Sequence, residues 1–316
     1  MSRLYAVVTI TILVRIFTPG LAQADSGLYL SGELGANFAP GLDLVGDAND
    51  RASVCDEFIN PDYQSVSKHL PGIDCTGPRP FETWMNDFKA AEGILAGGAL
   101  GYRPWEPSSV WGNVRLELEY FYRESAYNET ADATGATGAN VDKLARELIT
   151  GTDRVDSVTS HNLFGNLYFD FANSSRFTPY IGFGVGVGFT DMGYGYLWER
   201  NADPTAIATG EGLPNADVIR RNLAGTVSSH HTGLADTLFG YQVLFGLDYA
   251  FTESMSLGVK GRWVDFGPFR EDGLAGDLLR SHEANLRLDG SEPVSYGIET
   301  SDVKMFGVSL NLKYSF

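Results

Sequence analysis

The chain has 316 residues and carries 23 Lys and Arg against 40 Asp and Glu, a formal net charge of −17 that excludes nucleic acid as a partner and plain electrostatic adhesion to an anionic membrane. Mean hydropathy is −0.11, and past the amino terminus no apolar run approaches the ~20 residues of a spanning helix, so a helical membrane protein is excluded.

Residues 1–24 read as a secretory signal peptide, with Arg3 in the n-region, an apolar run from Leu4 to Val14 that Arg15 cuts too short to span, and Ala22-Gln23-Ala24 as the cleavage site. The mature domain is expected at 25–316. Its first strand is LYLSGELGANF: Leu28, Leu30, Leu34, Ala36 and Phe38 share one side, and Tyr29, Ser31, Glu33, Gly35 and Asn37 the other. The polar stretch from Ala39 to Glu92 reads as a large loop. It holds the chain's two cysteines, Cys55 and Cys75, which in an exported protein are expected to form one local disulfide. No second Cys or His pair stands at zinc-site spacing, and Asp43, Asp47 and Asp50 do not match a calcium loop, so no metal and no cofactor is expected.

Ile94 to Tyr102 alternates again and stops at Arg103-Pro104-Trp105-Glu106-Pro107. In the third strand Val114, Leu116, Leu118, Tyr120 and Tyr122 alternate with Arg115, Glu117, Glu119, Phe121 and Arg123. The loop at 125–156 contains Val141, Leu144, Ala145 and Leu148 at helical spacing, which suggests a short surface helix. Ser160 to Phe171 sets Leu163, Leu167, Phe169 and Phe171 against Asn162, Asn166, Tyr168 and Asp170, and a turn follows at Ala172-Asn173-Ser174-Ser175. Pro179 to Phe189 opposes Ile181, Phe183, Val185, Val187 and Phe189 to Gly182, Gly184, Gly186 and Gly188. That glycine row lacks a phosphate-loop register and is read as making room inside a narrow barrel. After a loop at 190–237, Leu238 to Phe251 and Met255 to Phe266 are strands six and seven, with Asp248, Lys260 and Arg262 on their polar faces. After a loop at 267–302, the chain ends on MFGVSLNLKYSF, where Phe306, Val308, Leu310, Leu312, Tyr314 and Phe316 face one way and Lys313 the other.

Long polar segments follow strands one, three, five and seven, and short turns follow strands two, four and six, which is the asymmetry of a transmembrane barrel. The fold expected is all-β: an eight-stranded antiparallel transmembrane β-barrel with four long extracellular loops and short periplasmic turns. PYIGFGVGVGF, LDYAFTESMSLGVKGRW and the terminal NLKYSF resemble the eight-stranded OmpA/OmpX-like and Opa-like superfamily of outer-membrane β-barrels. The resemblance implies a cell outer-membrane location among lipid and lipopolysaccharide. It also implies an assembly signal in Leu310, Leu312, Tyr314 and Phe316, read by the barrel assembly machinery. Glu33, Arg115, Glu117, Glu119, Asp170, Asp248, Lys260, Arg262 and Lys313 all point away from lipid and are expected to pair across the lumen as a plug. His230-His231 with Asp236 and His161-Asn162 suggest outer-membrane hydrolases, yet the constellations are incomplete, and no catalytic residue is expected. The function read is non-enzymatic: a surface protein with a structural or interaction role through its loops, whose extracellular partner the sequence does not name. A narrow channel or small-solute-binding barrel is the alternative, and an outer-membrane enzyme a remote one.

Overall fold

The computed structural model describes residues 27–48, 54, 59–62, 69, 70, 73, 74, 81–104, 113–171, 173–275, 278, 279, 282, 283 and 295–316. The expected signal peptide with its cleavage residues Ala22 and Ala24, and the expected Cys55–Cys75 disulfide, lie outside these. Ten strands carry the fold: β1 (Leu28–Ala39), β2 (Leu42–Ala48), β3 (Glu82–Phe88), β4 (Ala91–Tyr102), β5 (Val114–Asp132), β6 (Leu148–Asp170), β7 (Phe177–Arg200), β8 (Val227–Ala250), β9 (Met255–Ala275) and β10 (Ser295–Ser315).

Eight of them close a ring. Antiparallel ladders run from β1 to β4 and on through β5, β6, β7, β8, β9 and β10, and β10 returns to β1 with Leu34 opposite Leu310 and Phe38 opposite Phe306. Closure satisfies each strand edge in a medium that offers no water to bond the backbone. The outward side chains form an apolar belt: Leu34 is 67% exposed and Phe239 66%, values that make sense only against lipid. Tyr241 and Trp263 meet edge to face on it, as in an interfacial girdle.

The strands do not stop at the belt. Crossing takes about nine to eleven tilted residues, whereas β5 to β10 have 19 to 24. The surplus rises on the side opposite the short turns and builds an extracellular storey out of stretches that read as loops at 125–156, 190–237 and 267–302. The reason is a phase inversion. Along β7 the residues Ile181 to Phe189 place their apolar members outside, but past Thr190 the buried residues are Met192 and Tyr194, on the opposite parity. Once water replaces lipid outside, the apolar side must face in, so alternation continues with its sign reversed.

The segment 39–92 is likewise more than a loop. β2 pairs with the upper half of β10, Leu44 opposite Thr300 and Ala48 opposite Tyr296, and β3 pairs with β2. Met85 and Thr134 then exchange both backbone hydrogen bonds, at 2.8 and 2.7 Å. Above the belt this hairpin occupies the wall position that β1 and β4 hold below. It encloses an apolar core that includes Leu44, Trp84, Phe88, Phe121, Phe164, Phe266, Phe269 and Met305.

The helical spacing at 141–148 gives a helix of two kinds, an α turn at Ala139–Asp142 and a wider π turn at Lys143–Glu147. Its buried residues are Asn140, Lys143 and Glu147 rather than the apolar set. The wide turn aims Glu147 into the third loop. There its carboxylate meets Arg200 Nε at 2.6 Å and accepts from the backbone N–H groups of Ala208 and Thr209. Burial pushes that carboxyl up, but Arg200 outweighs it and holds the group below the ordinary range. In the same loop helix α1 (Ala216–Leu223) buries Ile219 and Leu223 against Ile59 and Ile207, and Asn215 and Asn222 bond Asn60 and Ile59 of the first loop.

Candidate functional site

At membrane level the interior is built from side chains that the alternation places inward, and the charged ones meet. Glu119 is buried in the lumen, within 2.8 Å of both Lys260 Nζ and Arg262 Nη2, and accepts from Asn166 and Gln242 at 2.9 and 3.0 Å. Glu33 binds Arg262, stands 3.2 Å from Lys260 and accepts from Ser309 Oγ at 2.8 Å. Lys260 reaches Glu117 at 4.0 Å, and Glu117 accepts from Tyr29 and Tyr168 at 2.8 and 3.0 Å. Arg115 sits 3.8 Å from Glu117 and donates to Asp170 at 2.8 Å, with its guanidinium 4.2 Å above the Tyr168 ring. Lys313 and Asp248 form their own pair at 2.5 Å. The structure thus brings together seven of the nine residues through a continuous set of ion pairs. The Lys313–Asp248 pair joins them through the rings of Tyr29 and Tyr180, 5.1 and 5.6 Å from Lys313 Nζ.

Several members were missed by charge alone. Tyr29, Tyr168, Asn166, Gln242 and Ser309 sit at inward positions of the same alternation, and Arg103 reaches Asp170 at 3.0 Å from the turn after β4. All of these but Arg103 are legible as inward polar positions of the strand alternation. The glycine row makes the interior possible. A Cβ on Gly182 would come within 2.5 Å of Tyr168, on Gly184 within 2.0 Å of Asn166, and on Gly186 within 2.6 Å of Phe164. Glycine on β7 therefore gives its volume to the large residues of β6.

The residues expected to form an assembly signal line the seam that closes the ring. Leu310 and Leu312 face outward opposite Leu34 and Gly32, Tyr314 packs edge-on against Phe316 at 5.2 Å, and the Phe316 N–H donates to Leu28 O.

The histidines separate. His231 Nε2 lies 2.7 Å from Asp156, a residue that also binds Arg154, while Asp236 accepts from the backbone N–H of Thr237 and of Arg270. The His231–Asp236 pairing suggested by sequence is therefore replaced, because the β-ladder places Asp156 and His231 on the same outer wall. His230 turns to the other side, stacks on Tyr196 and meets the Tyr296 ring edge-on. His161 stands on the outer face with Tyr120, whose hydroxyl lies 2.7 Å from Nδ1.

In the extracellular storey a second carboxyl besides Glu147 is fully buried. Asp153 accepts from Trp84 Nε1 at 2.8 Å, which ties the β2–β3 hairpin to β6, and Trp84 in turn packs edge-on against Trp198 at 5.1 Å. Burial pushes the Asp153 carboxyl up to about 6, only partly offset by the Trp84 bond.

No protein-family model matches the chain. It is similar to the outer membrane protein PagN of Salmonella typhimurium strain LT2, 28% identical over 188 residues, which cover 51% of this chain and 74% of the relative. Among solved structures, Neisserial surface protein A aligns over 92% of this chain and 98% of its own at 12% identity and a TM-score of 0.39. The outer membrane protease OmpT of Escherichia coli aligns over 93% and 98% at 10% identity and a TM-score of 0.41. Likenesses that distant carry no argument about activity. The closed ring of eight strands, the apolar belt and the similarity to PagN together give the assignment: the chain is a cell outer-membrane protein built as an eight-stranded antiparallel β-barrel.

Proposed function

We propose that the protein is a non-enzymatic surface protein that works through its extracellular storey, held upright by a barrel that does not conduct. The observation that carries this reading is the two-level interior. Charged and tyrosine side chains fill the lumen at membrane level, and an apolar core fills it above, so the material of the chain is invested in a rigid structure outside the cell. An eight-stranded barrel is just wide enough for its own side chains. The exposed wall carries Lys89, Arg154, His231 and Arg270, each beside a carboxylate, a mixed surface suited to contact with another macromolecule or with lipopolysaccharide. Assembly through the carboxyl-terminal strand and a Cys55–Cys75 disulfide belong to the same proposal.

The test compares cells displaying the whole chain with cells displaying a variant whose strands are joined by short turns just above the belt. Adherence to surfaces, to other cells or to purified lipopolysaccharide should fall with the storey removed, while the barrel itself still inserts. Equal adherence by both would set the reading aside.

A further inference from the structure

Arg123 is an exception among the buried cations. The guanidinium of β5 is fully buried at the level where the polar lumen ends and the apolar core begins. Nη1 donates to Ser125 Oγ at 3.2 Å, and Nε and Nη2 have no hydrogen-bond partner. Among the described residues no carboxylate lies within salt-bridge distance of it, whereas Arg115 and Arg262 each touch two. Its polar neighbours are already engaged, Tyr127 with Pro40 O among them. Ser125 gives its proton to Asn37 Oδ1 at 2.7 Å, and Asn37 Nδ2 is spent on the carbonyls of Ile94 and Glu124. On the other side the Phe266 ring centroid stands 5.2 Å from the guanidinium carbon. A ring face attracts a cation but cannot accept two in-plane N–H groups.

A guanidinium does not shed its proton, so this charge cannot be relieved by neutralisation. A buried charge with neither counter-ion nor acceptors costs several kcal/mol, and a buried unsatisfied donor pair in a folded protein points to a bound water or ion. Water would satisfy the two donors and leave the charge; a small anion answers both. We infer that Arg123 Nε and Nη2 form the floor of an internal site for a monovalent inorganic anion of chloride size, which holds the base of the extracellular storey. The donors are adjacent on one edge of the guanidinium, a geometry that grips one ion between two N–H groups.

The probe is bromide. Crystals of the full chain grown or soaked with bromide in place of chloride should show an anomalous peak within hydrogen-bond distance of Arg123 Nε and Nη2, and Arg123→Met should lack it. In detergent solution at fixed ionic strength, replacing isethionate by chloride should raise the unfolding midpoint of the wild type and leave that of Arg123→Met unmoved. At free chloride 100 times its Kd the folded-to-unfolded ratio rises about 100-fold. A map with water only at the guanidinium, or a chloride effect equal in both proteins, overturns the site. Should Arg123→Met fail to insert, the wild-type bromide map decides alone.

Discussion

Glu119 shows what a single lumen residue does. Four donors converge on its carboxylate, two of them cationic. Such a group need not add net stability over an apolar substitute, but removing it strands Lys260 and Arg262 in a dry interior. Glu119→Ala should therefore lower unfolding stability in urea by about 3–5 kcal/mol; a loss below ~1 kcal/mol would mean that the lumen is wet enough to solvate the stranded cations. Asp153 makes a prediction of opposite character. Its folded carboxyl titrates near 6 against 3.8 for the ordinary group, so the folded state binds the proton more tightly than the unfolded one. The stabilisation is fully present below pH ~4 and is lost as pH rises through ~6, on the order of 3 kcal/mol in all. Acidification from pH 7.5 to pH 4.5 should thus steepen resistance of the storey to urea, read by tryptophan fluorescence, and Asp153→Asn should remove that gain. A variant that keeps the full acid dependence would place the titrating group elsewhere. At this scale the sequence was informative wherever parity was enough: all nine inward charges read from the alternation are buried. Parity could not say which partners they would choose, nor that Arg123, in the same inward row, would be left without one.

The elements were legible in proportion to their contact with lipid. At belt level one face of each strand is apolar and the other is not, and the eight strands could be counted from that alone. Above the belt the apolar residues change sides, as Met192 and Tyr194 do after Phe189, so a reading tuned to one phase sees a polar loop where the ladder in fact continues from Thr190–Asp236 to Glu199–Val227. The β2–β3 hairpin was hidden for a further reason. Its partners are the upper half of β10 and the 131–137 segment, and contacts that distant in sequence leave no local signal. The hairpin's attachment is testable at Trp84. Trp84→Phe keeps most of the ring but removes the 2.8 Å donor to Asp153, leaving a buried carboxyl short of a donor, so it should cost about 1–3 kcal/mol locally. Limited proteolysis should cut the 42–88 segment faster in this variant while the membrane-level strands stay protected. Unchanged cleavage would show that the backbone bonds of Met85 and Thr134 suffice to hold the hairpin.

The whole molecule is a column with a charged, tyrosine-lined base in the membrane and an apolar core above it. The short turns at one end and the tall storey at the other fix its orientation, so protease added to intact cells should spare the segment at 173–175 and act only on the far side. Cleavage there without permeabilisation would invert the topology. The two filled levels in series speak against the channel alternative, because an ion crossing the barrel would have to displace the Glu33–Arg262 and Glu119–Lys260 pairs and then pass Phe121, Phe164 and Phe266. The most direct measurement is current through the purified full-length protein in planar bilayers. The account predicts no steady conductance for the wild type, with current appearing when Glu119 or Arg262 is replaced by alanine; large, stable wild-type channels would contradict it.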